Sequence, residues 1–378
     1  MAAASQEMTM KLTAGHIRER FMSRCLTLAA KGYGGVHPNP MVGCVIVKNG
    51  RVIAEGFHSR FGGPHAEIVA LRKAGRRARG ATLYVNLEPC CHLGKTPACS
   101  DAIIAAGIKA VHVAIRDPNP LVAGKGIRAL RQSGIRVEEG LLSRQAERLN
   151  EKFLFYMRTG TPFVAVKLAQ TLDGRIADAG GRSRWITSIA SQKKVHAIRA
   201  GFDAVLVGAR TVNADGPLLT VRLVPGRNPL RVVVDGRLSS NSALRVFDTS
   251  RAPTVVLTSR TAMSAQRPKV RRFARRHVEV VPLGKNPAIS PEKILRYLGH
   301  RGISSVLIEG GARTAGFFIE RRAVNKVFWF VSPKLFGGGT PSLSMIHPRR
   351  VSHPVAVRDM MVMPVGDDIL FEGSLEWR

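Results

Sequence analysis

The sequence predicts an α/β protein built of two domains, and three observations carry that prediction. A chain of 378 residues, 45% of them hydrophobic, can close two packed cores. β-Branched runs alternate with helical stretches in both halves, the pattern of sheets covered by helices. The His- and Cys-bearing motifs of the first hundred residues have no copy downstream, so the halves are distinct domains and not a repeat. The boundary is expected near residues 158–162. This divides the chain into a flexible N-terminal extension (1–18), a first domain (19–157) and a second (158–378).

Taken in order, residues 17–31 place Phe21, Met22, Cys25, Leu26, Leu28 and Ala29 at helical spacing. His37-Pro38-Asn39-Pro40 then makes a rigid turn, where an asparagine ordinarily caps. Strands 42–47 and 51–57 pair as a hairpin across Lys48-Asn49-Gly50. Pro64-His65-Ala66-Glu67 opens a helix that runs to residue 73. Residues 81–87 form a strand stopped by Glu88-Pro89, and 100–107 a helix.

This order is expected to bring Cys90 and Cys99 to one sheet edge, where His65, in the first turn of its helix with Glu67, can converge on them. One histidine and two thiolates suit a Zn2+ that keeps a position for water, and a non-ligand glutamate is what such a water needs to exchange protons. The metal set is therefore His65, Cys90 and Cys99, with Glu67 as the catalytic group, in the outline of a zinc deaminase. That signature usually spaces its cysteines as Pro-Cys-x-x-Cys, whereas eight residues separate Cys90 from Cys99 here. The inserted loop carries His92, Lys95 and Thr96 and is suited to holding an anionic substrate group. Cys91 could compete for the metal and is left out of the ligand set. Cys25 and Cys44 fall in apolar patterns and read as small buried hydrophobes.

The first half continues with a strand at 111–115, the turn-rich segment Asp117-Pro-Asn-Pro-Leu-Val-Ala-Gly-Lys-Gly126, a helix at 126–133, a strand at 135–138 and a helix at 143–156. In the second half, strands are expected at 163–169, 204–207, 230–234, 254–258, 278–281, 306–308 and 327–331, with helices at 189–200, 291–298 and 314–322. The first strand lacks a Gly-x-Gly-x-x-Gly turn, which argues against a Rossmann module. Instead a buried strand ending at Glu309 runs into Gly310-Gly311 and a helix, where backbone N–H groups and the helix dipole can cradle phosphate.

On these residues the chain resembles the bifunctional deaminase-reductases of riboflavin biosynthesis. The first half carries His65-Ala-Glu67, the Glu88-Pro-Cys-x-His-x-Gly-Lys-Thr-Pro-x-Cys99 run and the Asp117 segment. The second carries Lys167-Leu-Ala-Gln-Thr-Leu-Asp-Gly-Arg, Ser183-Arg-Trp185, Asp203 to Thr211, Asp215 to Arg222 and Glu309-Gly-Gly. The resemblance implies a cytidine-deaminase-like zinc domain followed by a dihydrofolate-reductase-like domain that uses NADPH. It implies hydrolytic deamination of 2,5-diamino-6-(5-phosphoribosylamino)pyrimidin-4(3H)-one, with Asn39 facing the ring, then reduction of the ribosyl group to ribityl. It further implies that Ala169, Trp185, Thr211, Asp215, Gly236, Gly311, Ala312, Arg313, Thr314, Ala315, Gly316 and Phe317 border the nicotinamide nucleotide. Ser183, Arg199, Leu219, Arg222 and Glu309 would surround the phosphorylated substrate. No proton donor for the reduction stands out.

The 58 Lys and Arg against 26 Asp and Glu give a formal charge of +32, which raises the question of a nucleic-acid partner. The excess is spread over both halves, 22 basic and 10 acidic residues through Asn150 and 36 and 16 after it, and aromatics for base stacking are few. A uniformly basic enzyme is thus expected and a nucleic-acid partner is not; the small phosphorylated pyrimidine is the partner that the resemblance implies. The rival reading is a nucleic-acid deaminase with a basic binding domain, and a relative with one silent half is a third. Like charges at Lys269, Arg271, Arg272, Arg275 and Arg276 disfavour a free helix. The first twenty residues lack an apolar core with a small-residue cleavage site, so no secretory leader is expected; no apolar run approaches membrane-span length, and five cysteines clustered in the first hundred residues fit a reducing compartment. A cytoplasmic homo-oligomer is expected.

Overall fold

The structure, a computed structural model, describes residues 2–91, 98–183, 186–347 and 349–377, with side chains from residue 15 onward. It divides into two compact units, Met1–Thr159 and Gly160–Arg378. Among the described residues no helix is long and apolar enough to cross a membrane.

The first unit opens with α1 (Ala2–Ala30), whose helical backbone begins upstream of the expected residue 17. β1 (Gly43–Lys48) and β2 (Arg51–Phe57) form the hairpin, with Asn49 and Gly50 both at positive φ as a tight two-residue turn requires. Then follow α2 (Ala66–Ala74), β3 (Thr82–Leu87), α3 (Cys99–Ala105), β4 (Ala110–Ile115), α4 (Lys125–Gln132) and β5 (Arg136–Glu139). The sheet order is β2-β1-β3-β4-β5, with β1 antiparallel to both neighbours and β3, β4 and β5 parallel. Side chains of β1, β3 and β4 are buried on both faces, which is why these strands read as continuous apolar runs without alternation. Gly43 has to lack a side chain, because a Cβ there would lie 2.1 Å from the Cys25 carbonyl oxygen.

One helix was expected over 143–156, but the structure has two, α5 (Ser143–Leu149) and α6 (Glu151–Thr159). The break at Asn150 has a physical cause. Its buried amide clasps Met41, accepting from Met41 N at 2.8 Å and donating to Met41 O at 2.9 Å. That clasp, shared with Asn86, anchors the turn that carries Asn39.

The second unit begins with β6 (Phe163–Thr171), β7 (Arg175–Ala177), α7 (Ile189–Ala200), β8 (Ala204–Gly208), α8 (Ala209–Asp215) and β9 (Leu230–Val234). It continues through β10 (Thr254–Ser259), α9 (Arg260–Ala265), α10 (Arg267–Arg275), β11 (Glu279–Gly284), α11 (Pro291–His300), β12 (Ser305–Ile308) and α12 (Ala312–Glu320). β13 (Lys326–Ser332), β14 (Thr340–Pro341), β15 (Ala356–Val365) and β16 (Asp368–Glu376) complete it.

Nine strands form one sheet in the order β11-β10-β9-β8-β12-β6-β13-β16-β15, parallel from β11 to β13 and antiparallel beyond. Alternate residues feed the two faces: Leu206, Val232 and Leu257 join one core cluster, Val205, Val233 and Val256 the other. The chain passes from β8 to β9 on one side while β12 lies on the other, so the strand ends part there. Such a switch point is where open α/β sheets bind ligands.

The sequence reading lacked α8, α9 and the β15–β16 hairpin. It also disfavoured a helix over the basic cluster, yet α10 forms. Phe273 is fully buried there with its ring 4.8 Å from that of Phe247, and the Lys269 ammonium donates to the Leu238 carbonyl, so tertiary packing outweighs the like-charge repulsion. β15 is exposed along nearly its whole length and contains Pro364, which hides a strand from any test of alternation.

Candidate functional site

In the first unit, three loops converge. His65 precedes α2 with extended backbone, Cys90 follows the end of β3, and Cys99 is the first residue of α3. His65 Nδ1 lies 3.2 Å from Cys99 Sγ and 3.5 Å from Cys90 Sγ, and Cys90 Sγ accepts the Cys99 backbone N–H at 3.4 Å. Ligands of a tetrahedral Zn2+, with bonds of about 2.0 Å to nitrogen and 2.3 Å to sulfur, stand roughly 3.5 Å apart, so these donors fit the ion. All three fall within 4.8 Å of one another, and they are the one such His/Cys/Asp/Glu cluster among the described residues. The hydrogen bond between the two thiols lowers the pKa of Cys90 and raises that of Cys99, so the pair shares a proton that a bound cation would displace. Cys91 points elsewhere, its Sγ 3.8 Å from the Leu121 carbonyl oxygen.

Glu67 lies in the first turn of α2 and is 3% exposed. Its Oε2 is buried with no hydrogen-bond partner, and burial pushes its carboxyl up to about 7. An orphaned carboxylate oxygen beside an incomplete ligand set has room for one more polar group, and a pKa near neutrality lets it both take and give a proton. Asn39 is half-buried with its Nδ2 3.1 Å from His58 Nε2. His92, Lys95 and Thr96 lie outside the described residues.

A residue without an assigned role in the sequence reading organises the wall of this site. Glu88, 3% exposed, accepts backbone N–H groups from Gly124 at 2.9 Å, Ile127 at 3.1 Å and Asp117 at 3.2 Å. Ile127 is in the first turn of α4, so the carboxylate caps that helix from a distant part of the chain and meets its positive end. A Cβ on Gly126 would stand 2.0 Å from the Pro89 carbonyl oxygen, so only glycine lets α4 approach the turn bearing Cys90. The segment from Asp117 to Gly126 is thereby tied to the turn that carries the metal ligand.

In the second unit, a cavity of about 570 Å³ opens at the ends of β6, β8 and β12. It brings together Ala169, Ser183, Arg199, Thr211, Asp215, Leu219, Arg222, Glu309 and Gly311. Ser183 Oγ donates to Asp215 at 2.8 Å, and Gly311 N donates to Thr211 Oγ1 at 2.9 Å, joining the starts of α8 and α12. A Cβ on Gly310 would come within 3.0 Å of Thr314, so the glycine pair keeps the backbone at the mouth of α12 open. Bare backbone at the start of a nine-residue helix suits the phosphates of a dinucleotide.

Other expected residues do not line this cavity. Gly236 is covered by its own chain, where a Cβ would lie 1.9 Å from the Pro287 carbonyl oxygen. Beyond Gly311, Ala312 and Ala315 are buried, Gly316 packs under Ser344, and Arg313, Thr314 and Phe317 are also absent from the cavity wall. Trp185 lies outside the described residues.

Arg199 was expected among the residues that surround the phosphorylated substrate, but its fork is occupied. Nε and Nη2 meet the two carboxylate oxygens of Glu309, and Nη1 donates to the Thr220 carbonyl at 2.6 Å. Burial pushes the Glu309 carboxyl up, but Arg199 and Lys167 outweigh it and hold it below the ordinary range. Arg222 lines the same wall, and its backbone N–H donates to His196.

Lys167 and His196 were not singled out. Burial lowers the Lys167 pKa, with Glu309 opposing, and the side chain lines the cavity. A lysine within the apolar run of β6 was the available signal. His196 Nδ1 accepts from the backbone N–H of Arg222 at 3.0 Å and of Leu223 at 3.4 Å, and nothing in the sequence announced it.

Comparison with known proteins agrees with this division. Residues 162–371 match the RibD C-terminal domain, and residues 16–115 match the cytidine and deoxycytidylate deaminase zinc-binding region. The chain is 41% identical over 355 residues to the riboflavin biosynthesis protein RibD of Aquifex aeolicus, covering 94% of this chain and 97% of that one. It is 41% identical over 344 residues to the Escherichia coli RibD, covering 86% and 90%. A Thermotoga maritima crystal structure, described as a diaminohydroxyphosphoribosylaminopyrimidine deaminase/5-amino-6-(5-phosphoribosylamino)uracil reductase, superposes with a TM-score of 0.84 at 44% identity, covering 96% of this chain and all of that one.

Proposed function

The chain belongs to the RibD family of riboflavin biosynthesis proteins, and from that premise we propose that its first unit deaminates the diaminopyrimidine ribosyl phosphate and its second reduces the ribosyl side chain with NADPH. The observation that carries the reading is the pairing of the buried, unpartnered Oε2 of Glu67 with the three convergent donors His65, Cys90 and Cys99.

His65, Cys90 and Cys99 would hold a Zn2+, which would supply a water of lowered pKa. Glu67 would be the group that takes a proton from such a water and hands it to the ring nitrogen or the departing amine, a role its buried place beside the donors suits. Asn39 accepts from the ring edge. The Asp117–Gly126 wall, clamped by Glu88, limits water access from its side. Lys95 and Thr96 are assigned to the substrate phosphate.

In the second unit the Gly310-Gly311 turn and α12 hold the dinucleotide phosphates, and Ala169, Thr211 and Asp215 border the nicotinamide end. Ser183, Leu219 and Arg222 contact the substrate, with Arg222 as the phosphate ligand. Arg199 and Glu309 shape that side as a neutralised pair. Lys167, with its lowered pKa, is the proton-bearing group assigned to the reduction.

The protein is assigned to the cytoplasm and to a homo-oligomer. In support of the latter, the edge strand β15 exposes Met360 (54%) and Val362 (56%), a long apolar edge of the kind that chains cover.

The test is metal content with ammonia release. Purified protein carries one zinc per chain, Cys91→Ser keeps it, Cys90→Ser loses it, and Glu67→Gln retains zinc while releasing no ammonia. Full ammonia release by Glu67→Gln would overturn the assignment.

A further inference from the structure

We propose that His58 is a positioning residue of the deaminase site, which fixes the Asn39 amide so that its oxygen, and not its nitrogen, is offered to the substrate. The inference rests on the reading above that Asn39 borders an aminopyrimidine.

His58 follows β2 and is 2% exposed, with both ring nitrogens engaged. Nδ1 lies 3.0 Å from the Pro64 carbonyl oxygen, and Nε2 lies 3.1 Å from the Asn39 amide. A carbonyl oxygen only accepts, so Nδ1 must carry the proton. A ring only 2% exposed is held neutral by the cost of burying a charge, and a neutral imidazole has one N–H, which leaves Nε2 as an acceptor. Only the NH2 end of Asn39 can satisfy it. The amide orientation is thus dictated by the Pro64 carbonyl, however the oxygen and nitrogen of Asn39 are distinguished.

The consequence is chemical. With its NH2 spent on His58, Asn39 presents an acceptor, which suits the N–H-rich edge of an amino-substituted pyrimidine and disfavours a ring edge that offers only lone pairs. His58 also stands edge-on to His65, ring centroids 5.5 Å apart at 83°, and Pro64 is the residue before His65. One buried ring therefore braces the ligand loop and sets the polarity of the neighbouring amide. A histidine that only braced the loop would not couple to Asn39.

The experiment is a double-mutant cycle on ammonia release from the diaminopyrimidine phosphate, using Asn39→Ala, His58→Phe and the pair. Bound zinc and the NADPH-dependent reduction report that each variant is intact. Each single variant loses about tenfold in kcat/KM, the scale of one hydrogen bond, and the double variant is no worse than Asn39→Ala. His58→Gln, whose amide oxygen can accept the same bond, retains more activity than His58→Phe, and it replaces the Phe variant in the cycle if that variant lacks zinc. Wild-type kinetics in Asn39→Ala would remove the substrate reading on which the proposal stands. A damaged Asn39→Ala together with a His58 variant that is unimpaired, or whose loss adds in full to that of Asn39→Ala, would overturn the positioning role itself.

Discussion

Arg199 and Glu309 form a bidentate pair, Nε to Oε1 at 2.6 Å and Nη2 to Oε2 at 2.9 Å, with each side chain only 7% exposed. Removing one partner from a buried pair strands the other charge, at a cost of about 3–5 kcal/mol. Arg199→Ala should therefore lower the urea midpoint of the second unit, and Arg199→Met with Glu309→Leu should recover much of the loss. Arg222→Ala, by contrast, should raise the substrate KM of the reduction with little change in stability. The comparison of unfolding curves with NADPH oxidation kinetics separates the two arginines.

Glu88 satisfies three backbone N–H groups at once. Glu88→Ala leaves them buried and unpaired, at roughly 1–3 kcal/mol each before relaxation. The first unit should lose about 3 kcal/mol by chemical unfolding, the low end of that sum, and zinc should leave faster to a chelator because the turn bearing Cys90 is no longer clamped. Glu88→Gln, which keeps acceptor capacity, should be milder. Wild-type zinc retention in Glu88→Ala would show that the wall and the ligand turn are independent.

His196 has its pKa lowered from 6.5 to about 4, chiefly by burial, then by Arg199 and Arg222. The sign follows from linkage. A depressed folded pKa means the unfolded chain binds the proton more readily, so the stability from neutral His196 is complete above about pH 6.5 and is lost as pH falls towards 4. The melting temperature of the second unit should fall across that window, and His196→Gln should flatten the part of the fall above the carboxylate range. An identical pH profile in the variant would contradict the assignment.

What was legible in the sequence follows from what local chemistry specifies. Strands β1, β3 and β4 and the hairpin turn at Asn49-Gly50 were readable because continuous apolar runs and turn residues act locally. The approach of His65, Cys90 and Cys99 was readable from a helix start, a strand end and a second helix start. Glu88 was not, because its partners lie 29 to 39 residues further on and exist only after α4 docks. Asn150 and His58 were hidden for the same reason, since each serves a backbone or amide group brought to it by folding. Arg199 was expected beside the phosphorylated substrate, whereas the carboxylate that occupies its guanidinium lies 110 residues away. α10 formed against its charge pattern because Phe273 is a core residue, which the five surrounding cations obscured.

The most direct measurement supplies the purified chain with 2,5-diamino-6-(5-phosphoribosylamino)pyrimidin-4(3H)-one and NADPH and follows ammonia and the nicotinamide absorbance together. The account predicts ammonia release first, followed by NADPH oxidation to the same molar extent. In Glu67→Gln both signals should vanish with this substrate, while NADPH oxidation returns when the deaminated compound is supplied instead. Ammonia without NADPH oxidation, or oxidation of NADPH that ignores the loss of Glu67, would contradict it.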